Sequence, residues 1–194
     1  MDSRQVIEKF RARGALLEGH FLLTSGLHSS VYLQCAQVLQ YPEDAAAFGA
    51  ELARRFVDRG IRLVASPAIG GIIIGHEVAR ALGARFIWTE RQEGSMTLRR
   101  GFSVSPNEPT LVIEDVITTG GSTIETIDTL RQNGANIIGA GSIIDRSGGR
   151  AEVGVERISL AALSVPAVDA SECYACKRGE ALVKPGSRKN PGES

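Results

Sequence analysis

Apolar positions along this chain recur with two periods, and each change of period marks an element. Val6, Ile7, Phe10, Ala15 and Leu16 fall at helical spacing and predict an N-terminal helix over residues 4–17. Residues 20–34, HFLLTSGLHSSVYLQ, read as two short strands around a Ser-Gly turn. Pro42 suits the first turn of a following helix, where its missing N–H costs nothing. Phe48, Leu52 and Phe56 give that helix its buried face, and Gly60 is expected to end it. Strands are then predicted at Leu63–Ala65, Arg85–Trp88, Thr110–Ile113, Asn136–Ile144 and Ile158–Leu163, with helices over Gly70–Leu82 and Ser122–Asn133. Strands apolar on both faces, alternating with helices, imply an α/β fold with a central parallel sheet flanked by helices. Residues 184–194 hold little that packs and are expected to form a flexible tail.

Composition narrows the class. With 194 residues, 43% hydrophobic and 23% charged, the chain reads as one soluble globular domain. Lys plus Arg and Asp plus Glu both number 22, so no broad field steers the protein onto nucleic acid. Any anion site must be built locally. The apolar run Ile72–Ile74 is far too short to cross a bilayer, and the N-terminus lacks the apolar stretch of a signal peptide. A cytoplasmic protein with neither membrane nor nucleic acid as partner is expected.

The chemistry concentrates in Leu111–Ser122, LVIEDVITTGGS. An apolar strand is expected to end in two carboxylates, and a Thr/Gly/Ser loop then feeds a helix. Helix starts offer unpaired N–H groups and partial positive charge, which suit a phosphate at the carboxyl edge of a parallel sheet. Gly120 and Gly121 let the backbone close around it, and Thr118, Thr119 and Ser122 add hydroxyl donors. Glu114 and Asp115 only accept hydrogen bonds when ionised, which suits the paired hydroxyls of a ribose. The pattern describes a sugar-phosphate receptor. Ser122 to Glu125 also has the spacing of a capping box, a purely structural alternative. Neither a P-loop nor a dinucleotide fingerprint occurs.

These residues resemble the phosphoribosyl diphosphate motif of type I phosphoribosyltransferases, and Val112–Ser122 matches it at nearly every position. Thr24, Ser25, Gly26 and Leu27-His28-Ser29, with Tyr32, resemble the substrate-binding hood of the orotate branch. Pro67–Ile72 resembles its diphosphate loop, Asp145-Arg146 its orotate-contacting arginine, and Glu90–Gly101 occupies the place of its mobile catalytic loop. The resemblance implies a type I fold with a core at about 41–163 under a small hood, made from about 1–40 and 164–183. It also implies a magnesium-dependent homodimer with shared active sites that joins 5-phosphoribosyl diphosphate to orotate in pyrimidine biosynthesis. Magnesium would be held mainly by substrate oxygens, with no confident protein ligand.

By position, Glu114 and Asp115 would hold the ribose hydroxyls. Thr118, Thr119, Gly120, Gly121 and Ser122 would wrap the 5-phosphate, and Val116 and Ile117 belong to the same phosphoribosyl diphosphate site. Ala68, Ile69, Gly70 and Gly71 would hold diphosphate, with a cis peptide between Ala68 and Ile69. Arg91, Arg99 and Arg100 are the candidate loop cations, Asp115 a further catalytic candidate, and Thr118, Arg146, Thr24, Ser25, Gly26 and Tyr32 would surround orotate. Four departures stand out: Thr24, Leu27 and Gly70 occupy places where basic residues are common, and the Glu90–Gly101 loop lacks the Lys and His residues of the better-known enterobacterial pattern. A purine-base phosphoribosyltransferase and a regulator sensing phosphoribosyl diphosphate are the competing readings. Cys173-Tyr-Ala-Cys176 has metal-ligand spacing but supplies two ligands, and Cys35 cannot complete four. Two subunits could pool their pairs around a zinc ion, and the alternative is a reduced pair in the hood or tail; His20, His28 and His76 show no metal spacing of their own.

Overall fold

A computed structural model describes residues 1–23, 26–163 and 167–185. In chain order the elements are α1 (Ser3–Ala12), β1 (Leu16–Leu22), β2 (His28–Leu33), α2 (Cys35–Leu39), α3 (Pro42–Arg54), β3 (Leu63–Pro67) and α4 (Gly71–Leu82). There follow β4 (Arg85–Gln92), β5 (Ser95–Leu98), β6 (Pro109–Ile117), α5 (Gly121–Gln132), β7 (Asn136–Asp145), β8 (Arg157–Ala162), β9 (Ala167–Val168) and α6 (Tyr174–Lys177). Six strands form one sheet in the order β5-β4-β3-β6-β7-β8, parallel throughout except for the antiparallel edge strand β5. A second sheet, β1-β2-β9, is antiparallel.

Period-2 alternation assigns each central strand residue to one of two apolar layers. Val64, Leu111 and Ile113 join Phe10, Phe48 and Ile74 on the side of α1, α3 and α4. Leu63, Ala65 and Val112 meet Ile127 and Leu130 of α5 on the other. Helices thus cover both faces, as the doubly apolar strands require.

Several boundaries differ from the sequence reading. Helix α1 stops at Ala12 rather than 17, because Gly14 turns the chain at φ 63 and Leu16 pairs with Leu33 instead. Pro42 opens α3 as expected, but the helix ends at Arg54, and Gly60 closes a separate 3₁₀ turn, Val57–Arg59. Strand β6 continues past Ile113 through the two acids to Ile117, held by pairing of Val116 with Ile144 and Ile117 with Asp145. The carboxylates therefore lie within the strand, not at its end. The tail expected at 184–194 falls, apart from Lys184 and Pro185, outside the described residues.

Candidate active site

Because β6 keeps its pleat through Glu114 and Asp115, the neighbouring carboxylates point to opposite faces. Glu114 faces α5, where its Oε2 accepts from the Thr123 hydroxyl at 3.3 Å. It lines a concavity with Val116, Ile117, Thr118, Thr119, Gly120, Gly121 and Ser122. Gly120, at φ 85, takes a left-handed conformation that starts α5 and leaves Thr118, Thr119, Gly121 and Ser122 exposed around the helix mouth. No side chain caps this helix, so the capping-box alternative is corrected: Glu125 instead pairs with Arg91 at 2.6 Å. The amides and hydroxyls at the mouth stay available to an anion.

Asp115 faces the α4 side and a second pocket, lined also by Tyr32, Cys35, Ile69, Gly70, Thr118 and Arg146. Its Oδ1 accepts from the Val116 amide at 2.8 Å, and Cys35 lines the same pocket. The Ala68–Ile69 peptide is cis, and the loop it belongs to brings Gly70 against Asp115. A Cβ on Gly70 would lie 2.8 Å from an Asp115 carboxylate oxygen. That closeness gives the departure at this position a physical reason, since a lysine there would have to displace the acid. Gly70 is exposed and the atoms in the way are the end of the Asp115 side chain, so Gly70→Ala is expected to swing that carboxylate aside with an almost unchanged urea midpoint and to lower affinity for phosphoribosyl diphosphate, read by calorimetry.

Electrostatics distinguish these groups from the surface. Burial, reinforced by the charge on Asp115, pushes the Glu114 carboxyl up to about 8. Burial likewise raises Asp115 and the Cys35 thiol, and lowers Arg146. Neither acid has an ion-pair partner among the described residues, and the Arg146 Nε is buried without a hydrogen-bond partner. Buried groups left this way are costly, so ligand groups that would complete them bind with a large return. Unpaired carboxylates beside exposed hydroxyls make a hard, all-oxygen donor set, which fits magnesium arriving with sugar and diphosphate oxygens.

The loop arginines stand apart from both concavities. Residues 90–98 form a β4-β5 hairpin, turning at Glu93 and Gly94. Arg91 also donates to the Gly94 carbonyl at 2.8 Å, while Glu90 accepts from Arg100 and lies 3.6 Å from Arg99. Arg100 holds the Glu90 carboxyl below its ordinary range. Gly26 is exposed at φ 84 beside the β1-β2 turn, and Thr24 and Ser25 lie outside the described residues. Sequence reasoning overlooked Cys35, which was weighed only as a metal ligand. It also treated His20 and His28 as unrelated to the cysteines, whereas the structure places both beside Cys173 and Cys176. The signal was present: two histidines flank a tight turn, so a hairpin sets them side by side.

No family model matches the chain. An orotate phosphoribosyltransferase of Chlorobaculum parvum is 48% identical over 190 residues, covering 98% of each chain. The solved orotate phosphoribosyltransferase of Aeropyrum pernix superposes with a TM-score of 0.66 at 28% identity, over 81% of this chain and 93% of that one. That of Mycobacterium tuberculosis in complex with 5-phospho-alpha-D-ribosyl 1-diphosphate gives 0.65 at 20% identity, over 82% and 96%, which speaks for the fold alone.

Proposed function

The chain belongs to the orotate phosphoribosyltransferase family, and from that premise we propose that it moves the 5-phosphoribosyl group of 5-phosphoribosyl diphosphate onto a ring nitrogen of orotate. The products are orotidine 5'-monophosphate and diphosphate, a step of pyrimidine biosynthesis carried out in the cytoplasm. The observation that carries this reading is one pocket where Asp115, Thr118, Ile69, Gly70 and Arg146, whose Nε has no hydrogen-bond partner, converge. Arg146 is the partner for the orotate carboxylate, because a guanidinium fork binds two oxygens. Ile69, exposed at the rim, offers an apolar surface to the flat base. The α5 mouth receives the 5-phosphate, and the loop from Ala68 to Gly71 receives diphosphate.

The carboxylates divided by β6 grip the ribose from its two sides, Glu114 from the α5 layer and Asp115 from the α4 layer. Magnesium, when bound with diphosphate, offsets negative charge on the leaving group. Cleavage at ribose C1 builds positive charge on the sugar, which Glu114 and Asp115 stabilise through its hydroxyls once the bound ligand draws off the protons that burial holds on them. Arg91, with Arg99 and Arg100, clamps the departing diphosphate once the hairpin releases Glu125 and Glu90 and closes. All three arginines stand outside the two concavities that hold Glu114 and Asp115, and this supports a homodimer whose hairpins reach the partner's site. In this reading residues 1–40 and 164–183 form a hood over a core at 41–163.

Loss of orotate absorbance with phosphoribosyl diphosphate and magnesium tests the reaction. Turnover of adenine, guanine or hypoxanthine in place of orotate would overturn it, as would tight phosphoribosyl diphosphate binding with no turnover of any base. A pH signature accompanies the site. The folded Glu114 carboxyl titrates near 8 against an ordinary 4.5, so the folded state holds its proton more tightly than the unfolded chain does. Its contribution is complete below 4.5 and is lost as pH rises through about 8. The raised Asp115 carboxyl adds a contribution of the same sign. The melting temperature of the ligand-free protein should fall across that window, and Glu114→Gln should flatten the fall. An equally steep decline in the variant would place its origin elsewhere.

A further inference from the structure

Outside the active site, two histidines and two cysteines meet in the small sheet. His20 lies on β1, His28 on β2, and Cys173 and Cys176 bracket the start of α6. One ligand atom from each falls within 4.8 Å of all the others. His20, His28 and Cys173 are buried, at 5%, 5% and 6% exposure. The His20 Nε2 lies 2.9 Å from the His28 Nδ1, 3.4 Å from the Cys173 sulfur and 3.5 Å from the Cys176 sulfur. The Cys176 sulfur is 3.2 Å from the His28 Nδ1. A tetrahedral ion with Zn–S of ~2.3 Å and Zn–N of ~2.0 Å sets its ligand atoms about 3.3–3.8 Å apart, close to this arrangement.

The protonation pattern argues the same way. The His20 Nδ1 is 3.0 Å from the Glu180 carbonyl, which can only accept, so that nitrogen carries the proton and Nε2 presents a lone pair. Three groups then converge on a single lone pair, which can take a hydrogen bond from only one of them. A cation at their centre satisfies every ligand at once, and the Glu180 carbonyl fixes the ring as an outer partner of a metal-bound histidine does.

We propose that His20 Nε2, His28 Nδ1, Cys173 Sγ and Cys176 Sγ form a closed structural site for one zinc ion per chain. Two nitrogens and two thiolates in a tetrahedron are the donor set zinc favours, and four protein ligands leave no open position for catalysis. The reading of the cysteines as a plain reduced pair is thereby replaced, since one chain supplies all four ligands. The site supplies what the local structure lacks. Strand β9 has two residues and α6 four, too few to be stable alone, yet β9 pairs with β2 and Val183 bonds to β1. The ion pins this returning segment to the β1-β2 hairpin, whose second strand continues to Tyr32.

Untagged protein, desalted after exposure to one equivalent of zinc, is expected to retain about one ion per chain by elemental analysis. Cys173→Ser/Cys176→Ser should lose it. Cobalt added to metal-stripped wild type should give tetrahedral d–d bands with a thiolate charge-transfer band, a readout that needs no variant to fold. Chelation should lower the melting temperature, and zinc should restore it. Wild type that retains no zinc and gives no cobalt–thiolate band would overturn the proposal, whether or not orotate is turned over. A Cys173–Cys176 disulfide in freshly purified protein, or full zinc retention by the double variant, would do the same.

Discussion

Arg146→Ala is expected to lower kcat/KM for orotate by about 10²–10⁴-fold, the loss of two charge-assisted hydrogen bonds of roughly 1.5–3 kcal/mol each. The guanidinium is half-buried in the lining of the pocket that it shares with Asp115, its pKa is depressed chiefly by desolvation, and its Nε is buried with no partner. Its desolvation cost is already met in the ligand-free fold, so a bound carboxylate gains the interaction with little opposing penalty. Affinity for phosphoribosyl diphosphate, titrated by calorimetry, should stay near the wild-type value. Arg146→Lys should rescue little, because an ammonium presents no planar fork. Equal losses of affinity for both substrates would show that Arg146 supports the fold and does not select the base.

Asp115→Asn is expected to separate activity from stability. The carboxylate is pushed up by burial, lies beside Gly70 and Cys35, and has no ion-pair partner among the described residues. An amide of the same shape removes the cost of burying charge, so the melting temperature should hold or rise. In the proposed reaction the same change would remove a charged acceptor for a ribose hydroxyl and a source of negative potential near the sugar. kcat/KM for phosphoribosyl diphosphate should therefore fall about 10²-fold or more, on a charged hydrogen bond worth roughly 1.5–3 kcal/mol plus the transition-state field. A loss of activity that merely tracks a loss of folded protein would remove Asp115 from the chemistry.

The core was legible in the sequence because one physical signal repeats there. Continuous apolar strands such as Leu111–Ile113, followed by amphipathic helices, admit few arrangements other than a parallel sheet covered on both faces. The cradle was legible for a related reason, as Gly120 and the hydroxyl run lie consecutively in the chain. What escaped was whatever depends on the third dimension. That Glu114 and Asp115 face opposite layers follows from β6 running on to Ile117, which pairing with β7 decides and composition does not. Helix α2 and strand β9 are too short to carry a period. The histidine–cysteine cluster joins residues up to 156 positions apart, and only the return of the chain to β1 and β2 brings them together.

The chain's single tryptophan sits where β4 enters the arginine hairpin. The Trp88 Nε1 donates to Glu90 at 2.9 Å, its ring stacks edge-on against Phe102 at 4.7 Å, and the Arg100 guanidinium lies 5.8 Å from the ring centre. Any motion that frees Glu90 or Arg100 must change the field and the solvent around the indole. The protein thus carries an intrinsic fluorophore wired to that segment, and its emission, followed by rapid mixing, can time the hairpin without a dye or a label.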